Sequence, residues 1–270
     1  MLAFWAAAPL AAQTLNEGGV VDAASFKPVL SRGGIGSLFG VDLASSTAAA
    51  PSIPLPTTLG TAQVLIDGTP APLYFVSAGQ INFQVPFEAP LSGTVSVTVV
   101  RGGVTSNAVS VAVAPYAPGI FANPATGEPI VVKQDNSLVT AANPAQPGDV
   151  LVIYVTGIGD LLNPPSTGAA SLSDPLAAAT VAPTVTVGGV ATTVYFAGLT
   201  PGLVGLGQIN IGLPETFPAA LREAAGPAEG IAQLVVDFGN GMASAPAVLP
   251  IVDGPLVSDA FIEMREILPP

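Results

Sequence analysis

The chain reads as a series of short segments in which apolar and polar residues alternate. Ile81-Asn82-Phe83-Gln84-Val85 and Val95-Ser96-Val97-Thr98-Val99 alternate strictly, and Ile209-Asn210-Ile211-Gly212-Leu213 repeats the pattern. A period of two puts every second side chain on one face, so each predicts a half-buried β-strand. Further strands are expected at residues 35–41, 62–66, 69–75, 104–113, 150–156, 184–187, 190–196, 232–237 and 242–251. Asp67-Gly68, Gly102-Gly103, Gly188-Gly189 and Asn240-Gly241 separate such segments, and tight hairpin turns need the positive φ these residues tolerate. Two stretches depart from the pattern and predict short helices. These are residues 218–225, with a proline in the first turn, and residues 258–267, which start at a Ser or Asp cap.

The strand order occurs twice. Gly79-Gln80-Ile81-Asn82 returns as Gly207-Gln208-Ile209-Asn210, each followed two residues on by an apolar residue and proline (Val85-Pro86, Leu213-Pro214). Upstream, Leu73-Tyr74-Phe75 answers Val194-Tyr195-Phe196, and a hairpin precedes each. Short strands between Gly/Pro turns, in two similar copies, predict an all-β chain of two tandem immunoglobulin-like antiparallel β-sandwiches. The expected boundaries are residues 17–116 and 117–254, with a tail at 255–270. Proline at every third position of the joint, residues 114–121, is expected to hold the chain extended and limit rotation between copies.

Composition narrows the possibilities. Half of the 270 residues are hydrophobic and only 9% are charged, with 30 Gly and 28 Pro. Even so, no run of 18 apolar residues suits a spanning helix, and few aromatics are present for the girdles of a transmembrane barrel. A net charge of −12 with six scattered basic residues argues against nucleic acid, which needs clustered Lys and Arg. Residues 1–16 open with an apolar stretch ending in small residues. It looks like the core and cleavage site of a secretory signal near Ala12 and Gln13, without a basic leader. Export to the cell surface or beyond is therefore expected, with 1–16 as a signal remnant.

Without His or Cys, a Ser-His-Asp triad, a Cys nucleophile and a His- or Cys-ligated zinc are ruled out. Ser25-Phe26-Lys27 lacks the Ser-x-x-Lys spacing of acyl-enzymes, and Gly157-Ile158-Gly159 lacks the third glycine of a dinucleotide loop. Asp67-Gly68 and Asp135-Asn136 are single-carboxylate turns without calcium-loop spacing. Neither a cofactor nor a metal is expected. The enzymatic alternative is a glycoside hydrolase or lyase using two acids in one cleft, with Glu88 and Glu215 or Asp160 and Asp237 as example pairs.

The amides offer another kind of chemistry. With Ile81, Phe83 and Val85 inward, Gln80, Asn82 and Gln84 share the opposite face, and Gln208 and Asn210 do likewise. Such a row either meets sugar hydroxyls or a partner's backbone, or ties the strand to an adjacent loop; the pattern favours the second role. Tyr74 and Tyr195 complete the candidate contact residues, with loops 44–59 and 165–182 beside them.

Several segments together carry a resemblance. Pro115-Tyr116-Ala117-Pro118-Gly119-Ile120-Phe121, Asn143-Pro144-Ala145-Gln146-Pro147-Gly148-Asp149, Tyr154-Val155-Thr156-Gly157-Ile158-Gly159 and both Gly-Gln-Ile-Asn segments resemble an uncharacterised C-terminal domain family of exported acidobacterial proteins. The stretch from Pro147 to Gly157 is also similar to the opening strands of IPT/TIG modules, an immunoglobulin-like group. These resemblances imply a pair of immunoglobulin-like sandwiches on a secreted or surface protein and bring no activity with them. The expectation is a non-enzymatic module that binds a glycan or protein at the cell surface, or serves as a spacer. A stalk or assembly domain without ligand is the remaining alternative.

Overall fold

The computed structural model describes residues 13–216 and 230–252, and among them it contains strands and turns but no α-helix. Both predicted helices and most of the expected signal remnant lie outside the described residues.

The first copy comprises β1 (Thr14–Asp22), β2 (Val29–Leu30), β3 (Ile35–Val41), β4 (Ala48–Ala49), β5 (Ala62–Ile66), β6 (Thr69–Ala71), β7 (Leu73–Val76), β8 (Gln80–Gln84), β9 (Gly93–Arg101), β10 (Val104–Thr105) and β11 (Val109–Val113). The second comprises β12 (Gly119–Ile120), β13 (Val131–Lys133), β14 (Val150–Thr156), β15 (Thr184–Val187), β16 (Val190–Ala191), β17 (Thr193–Leu199), β18 (Gly207–Gly212), β19 (Ile231–Asp237) and β20 (Ala247–Pro250). β1 starts at Thr14, so the first sandwich takes in three residues that the sequence reading assigned to the signal remnant.

In the first copy a front sheet of order β1-β3-β8-β7-β4 packs on a back sheet of order β2-β11-β9-β5-β6. The second copy repeats this as β12-β14-β18-β17 over β16-β15-β19-β20. Both follow the immunoglobulin plan, in which the first, second, fifth and fourth strands form one sheet and the third, sixth and seventh the other. Pairing is antiparallel except where an early segment runs alongside the last strand. That occurs at β2 with β11, and at Ala145 with Ile251.

Each sandwich has its own core, made by the inward set of the alternating strands. Ile81, Phe83, Val97 and Val99 are fully buried in the first, as are Ile153, Ile209, Ile211 and Leu234 in the second. The turns behave as their residues require: Asp67 and Gly68 have φ of 46° and 83°, the left-handed pair a two-residue hairpin needs. The segment expected as one strand at 69–75 is divided at Pro72. β6 lies in the back sheet and β7 in the front sheet, and a proline without an N–H suits the crossing point.

One irregularity recurs in both copies. The pairing of β7 with β8 slips between Leu73 and Phe75, and that of β17 with β18 between Val194 and Phe196. A bulge at this place puts two residues opposite one, so Phe75 faces Asn82 and Phe196 faces Asn210.

Candidate functional site

The two front sheets meet at a joint built from the linker and three loops. Ala114 donates its amide to Leu30 O at 2.9 Å, Ala117 donates to Gly157 O at 2.9 Å, and the Tyr116 ring stacks on Phe238 with centroids 4.6 Å apart. Gly157 and Gly159 take φ of 71° and 72°, and a Cβ on either would strike the linker carbonyls of Ala117 and Pro115. The Gly157-Ile158-Gly159 run is thus the seat of the linker, a role its spacing alone did not disclose.

Side chains then fasten one sandwich to the other. Arg32 pairs with Asp160, and the Ile35 amide donates to Thr156 Oγ1 at 2.7 Å. Gln84 is fully buried: its Oε1 accepts the Gly168 amide at 2.7 Å, and its Nε2 donates to Gly33 O at 3.4 Å. Tyr74 Oη donates to Val204 O at 2.9 Å, and burial pushes its phenol well above the ordinary range. Thr167 adds a bridge, accepting the Phe87 amide and donating to Glu88 Oε2 at 2.7 Å. Two sequence candidates, Gln84 and Tyr74, are therefore joint residues. Gln84 has left the wet face because loop residues 167–168 of the other copy cover it.

Beside this joint lies a cleft of about 550 Å³. Ile35 and Tyr74 form one wall, Phe121, Ile130 and Tyr154 the other, with Leu206 among the loop residues that complete it. Ile35 sits opposite Gln84 on the outer face of the first front sheet, and Tyr154 sits opposite Gln208 on the outer face of the second. Residues paired across strands share a face, so the amide-bearing faces of both copies turn toward this one cleft.

Each face carries the same small constellation. In the first, Gln80 Nε2 donates to Asn82 Oδ1 at 2.8 Å, and Ser37 Oγ donates to the same oxygen at 3.1 Å. In the second, Gln208 Nε2 donates to Asn210 Oδ1 at 3.2 Å. These bonds leave Gln Oε1 as an acceptor and Asn Nδ2 as a donor in each copy, both without a partner among the described residues. Aromatic residues flank both pairs: Phe39 opposite Gln80 and Phe75 opposite Asn82, then Tyr154 opposite Gln208 and Phe196 opposite Asn210. Both Gln–Asn pairs and the four flanking rings are partly exposed, whereas Ser37 is buried. Tyr195 is 63% exposed at the bulge and lies over Gly212, outside the cleft. The flanking aromatics escaped the sequence reading because cross-strand partners depend on register.

Three of the four acids in the example pairs are engaged elsewhere. Asp160 is held by Arg32, Glu88 accepts from Thr167, and Asp237 accepts the Gly239 amide of its own turn. Asp67 accepts the Ser96 amide, and hydrogen bonds from Ser137 hold the Asp135 carboxyl below its usual range. None of the described residues lining the cleft is acidic, so no carboxylate pair lies among them. Among the described residues no cluster of three metal-ligating side chains occurs, and no helix is long and apolar enough to cross a membrane.

No protein-family model matches the chain, and no curated protein sequence matches it. The acidobacterial likeness therefore remains a resemblance. Three solved structures are similar over most of the chain. SGBP-B of the Bacteroides ovatus mixed-linkage glucan utilization locus, in complex with a mixed-linkage heptasaccharide, matches 83% of this chain at 10% identity and a TM-score of 0.33. The I9–I11 tandem of titin matches 89% at 10% identity and a TM-score of 0.23. Domains 5–6 of the S-layer protein SbsC match 90% at 11% identity and a TM-score of 0.24. The chain spans 43% of the length of the first and 66% of the second. Superpositions this loose assign no role to any residue of this chain.

Proposed function

We propose that this chain is an exported, non-enzymatic binding module that takes a glycan on the front faces of its two sandwiches. The observation that supports this reading is the duplicated Gln–Asn pair. Each copy holds the pair in place by an internal bond, keeps one acceptor and one donor without a partner among the described residues on a partly exposed face, and flanks them with aromatic rings. Adjacent hydroxyls of a sugar both donate and accept, and the flatter apolar faces of sugar rings pack on aromatic side chains, so the two features suit one ligand class. Prearranged side chains lose little rotational freedom on binding.

The test is a glycan array, followed by calorimetry on the best hit, with the wild-type chain and a variant carrying alanine at Gln80, Asn82, Gln208 and Asn210. Binding is expected for the wild type and lost in the variant. Binding that survives all four substitutions overturns the proposal.

A spacer role is the second reading, favoured by the fastened joint. In that case a broad panel of glycans leaves thermal stability unchanged, since a ligand that binds only the folded state raises it.

A further inference from the structure

We infer that the two Gln–Asn pairs act as two stations for a single neutral polysaccharide chain, which crosses the joint between the sandwiches. This rests on the glycan reading above and adds both the charge class of the ligand and its mode of engagement.

The charge class follows from the strands themselves. β3, β7, β8, β14, β17 and β18, the strands that carry the Gln–Asn pairs and their neighbours on both sides, contain no Lys, Arg, Asp or Glu. Arg32, at the joint, is committed to Asp160. Lys133, at the edge of the second front sheet, is committed to Asp149 and Pro144 O. The whole chain carries a net charge of −12. A uronate or sulfated polymer would meet this surface without a counter-charge and against the overall field. An uncharged polymer meets the partly exposed amides and aromatic rings of these faces.

The mode of engagement follows from the placement of the stations. Each lies on a front face, and both faces lead to the same cleft through Ile35 and Tyr74 on one side and Tyr154 on the other. In the first copy the station lies roughly 7–13 Å along β8 from the Gln84 end, at the rise of an extended strand. In the second, Gln208 lies two residues after Leu206 of the cleft lining. The joint between them is fixed by the Arg32–Asp160 pair and by the Ile35–Thr156, Gln84–Gly168 and Tyr74–Val204 hydrogen bonds. Two weak stations held at a constant spacing turn the second contact into an intramolecular one. The gain is then set by the fixed geometry and needs no new contact.

The experiment is calorimetry on the full chain with β-1,4-linked gluco-, manno- and xylo-oligosaccharides, from disaccharides to about ten units, and with oligogalacturonate as the anionic control. Variants are Asn82→Asp and Asn210→Asp, singly and together. Aspartate keeps an oxygen to accept from the glutamine, so the internal bond is retained, while the outward amide donor is replaced by a second carboxylate oxygen and a negative charge. The expected result is a length threshold. Long chains of one neutral series bind at least about tenfold tighter than short ones. Either single variant brings long chains back to the short-chain affinity, and the double variant binds neither. Affinity independent of length, or a long-chain affinity untouched by one of the single variants, overturns the two-station model while leaving glycan binding intact. Preference for oligogalacturonate overturns the neutral class. Failure of every length and series to bind overturns the glycan reading itself.

Discussion

Gln84 Oε1 accepts a hydrogen bond from the backbone amide of Gly168 at 2.7 Å, so a fully buried side chain of the first sandwich satisfies a loop of the second. Removing that acceptor leaves a buried amide unpaired, which costs about 1–3 kcal/mol. Gln84→Ala is expected to lower stability by that amount in urea unfolding. The wild type is expected to unfold in one transition because the copies are fastened together, and the variant in two as they come apart. A variant with unchanged midpoint and one transition would show that the joint does not depend on this bond.

Gly157 tests the seat of the linker. At φ of 71°, with a Cβ that would strike Ala117 O, alanine meets both backbone strain and a clash with main chain that has little room to move. The strain alone is of order 1–3 kcal/mol. Gly157→Ala is expected to lower the melting temperature, and small-angle scattering should report a changed angle between the sandwiches. Gly68→Ala is the comparison. It has a similarly positive φ but nothing within 4 Å of an added Cβ, so it should lose stability without changing the angle.

Asp22 predicts a pH dependence. Burial raises its carboxyl above the usual range, against hydrogen bonds from Ser25 and Ala24 and the nearby charge of Lys27. A carboxyl whose pKa is higher folded than unfolded favours the folded state when protonated. Its contribution is therefore full below the unfolded value and is lost as pH rises through the folded one. Asp22→Asn keeps an oxygen for the Ser25 and Ala24 amides and removes the titration. The variant's stability relative to wild type should be greater at pH 7 than at pH 4, measured as urea midpoints. The reverse order would mean that the hydrogen bonds outweigh burial.

The aromatic flanks give a graded binding prediction. Phe39→Ala or Tyr154→Ala removes one ring beside one station, worth about 0.5–1.5 kcal/mol, or roughly a factor of 2 to 13 in affinity. Tyr195→Ala, at the bulge and away from the cleft, should leave glycan affinity unchanged. Equal losses at all three positions would mean that the ligand does not follow the paired faces.

Much of the architecture was legible because alternation and turn chemistry are local. Ile81 and Phe83 declare an inward face, and Asp67-Gly68 declares a hairpin, without reference to the rest of the chain. The site was harder to read because its decisive relations are tertiary. Gln80 and Gln84 stand on one face of one strand and look alike in sequence. Only the approach of Gly168, 84 residues away, makes one a joint and leaves the other open. Tyr74 and Phe75 are adjacent, so a strict period of two would set them on opposite faces; the bulge brings Phe75 opposite Asn82 instead. Gly157-Ile158-Gly159 was unreadable for a similar reason, since its meaning depends on the linker that lies against it.

The parallel pairings at the ends of each copy have a mechanical consequence. β2 lies alongside β11, with Ala112 opposite Val29 and Val113 opposite Leu30, and Ala145 and Ile251 stand in the same relation in the second copy. In both, a segment near the start of the sandwich runs in the same direction as its last strand. Tension drawn along the polypeptide pulls these partners past one another, loading their hydrogen bonds together in shear instead of peeling them apart singly. Each sandwich therefore closes with a parallel contact placed to be loaded in shear, two residue pairs long in the first copy and a single bridge in the second.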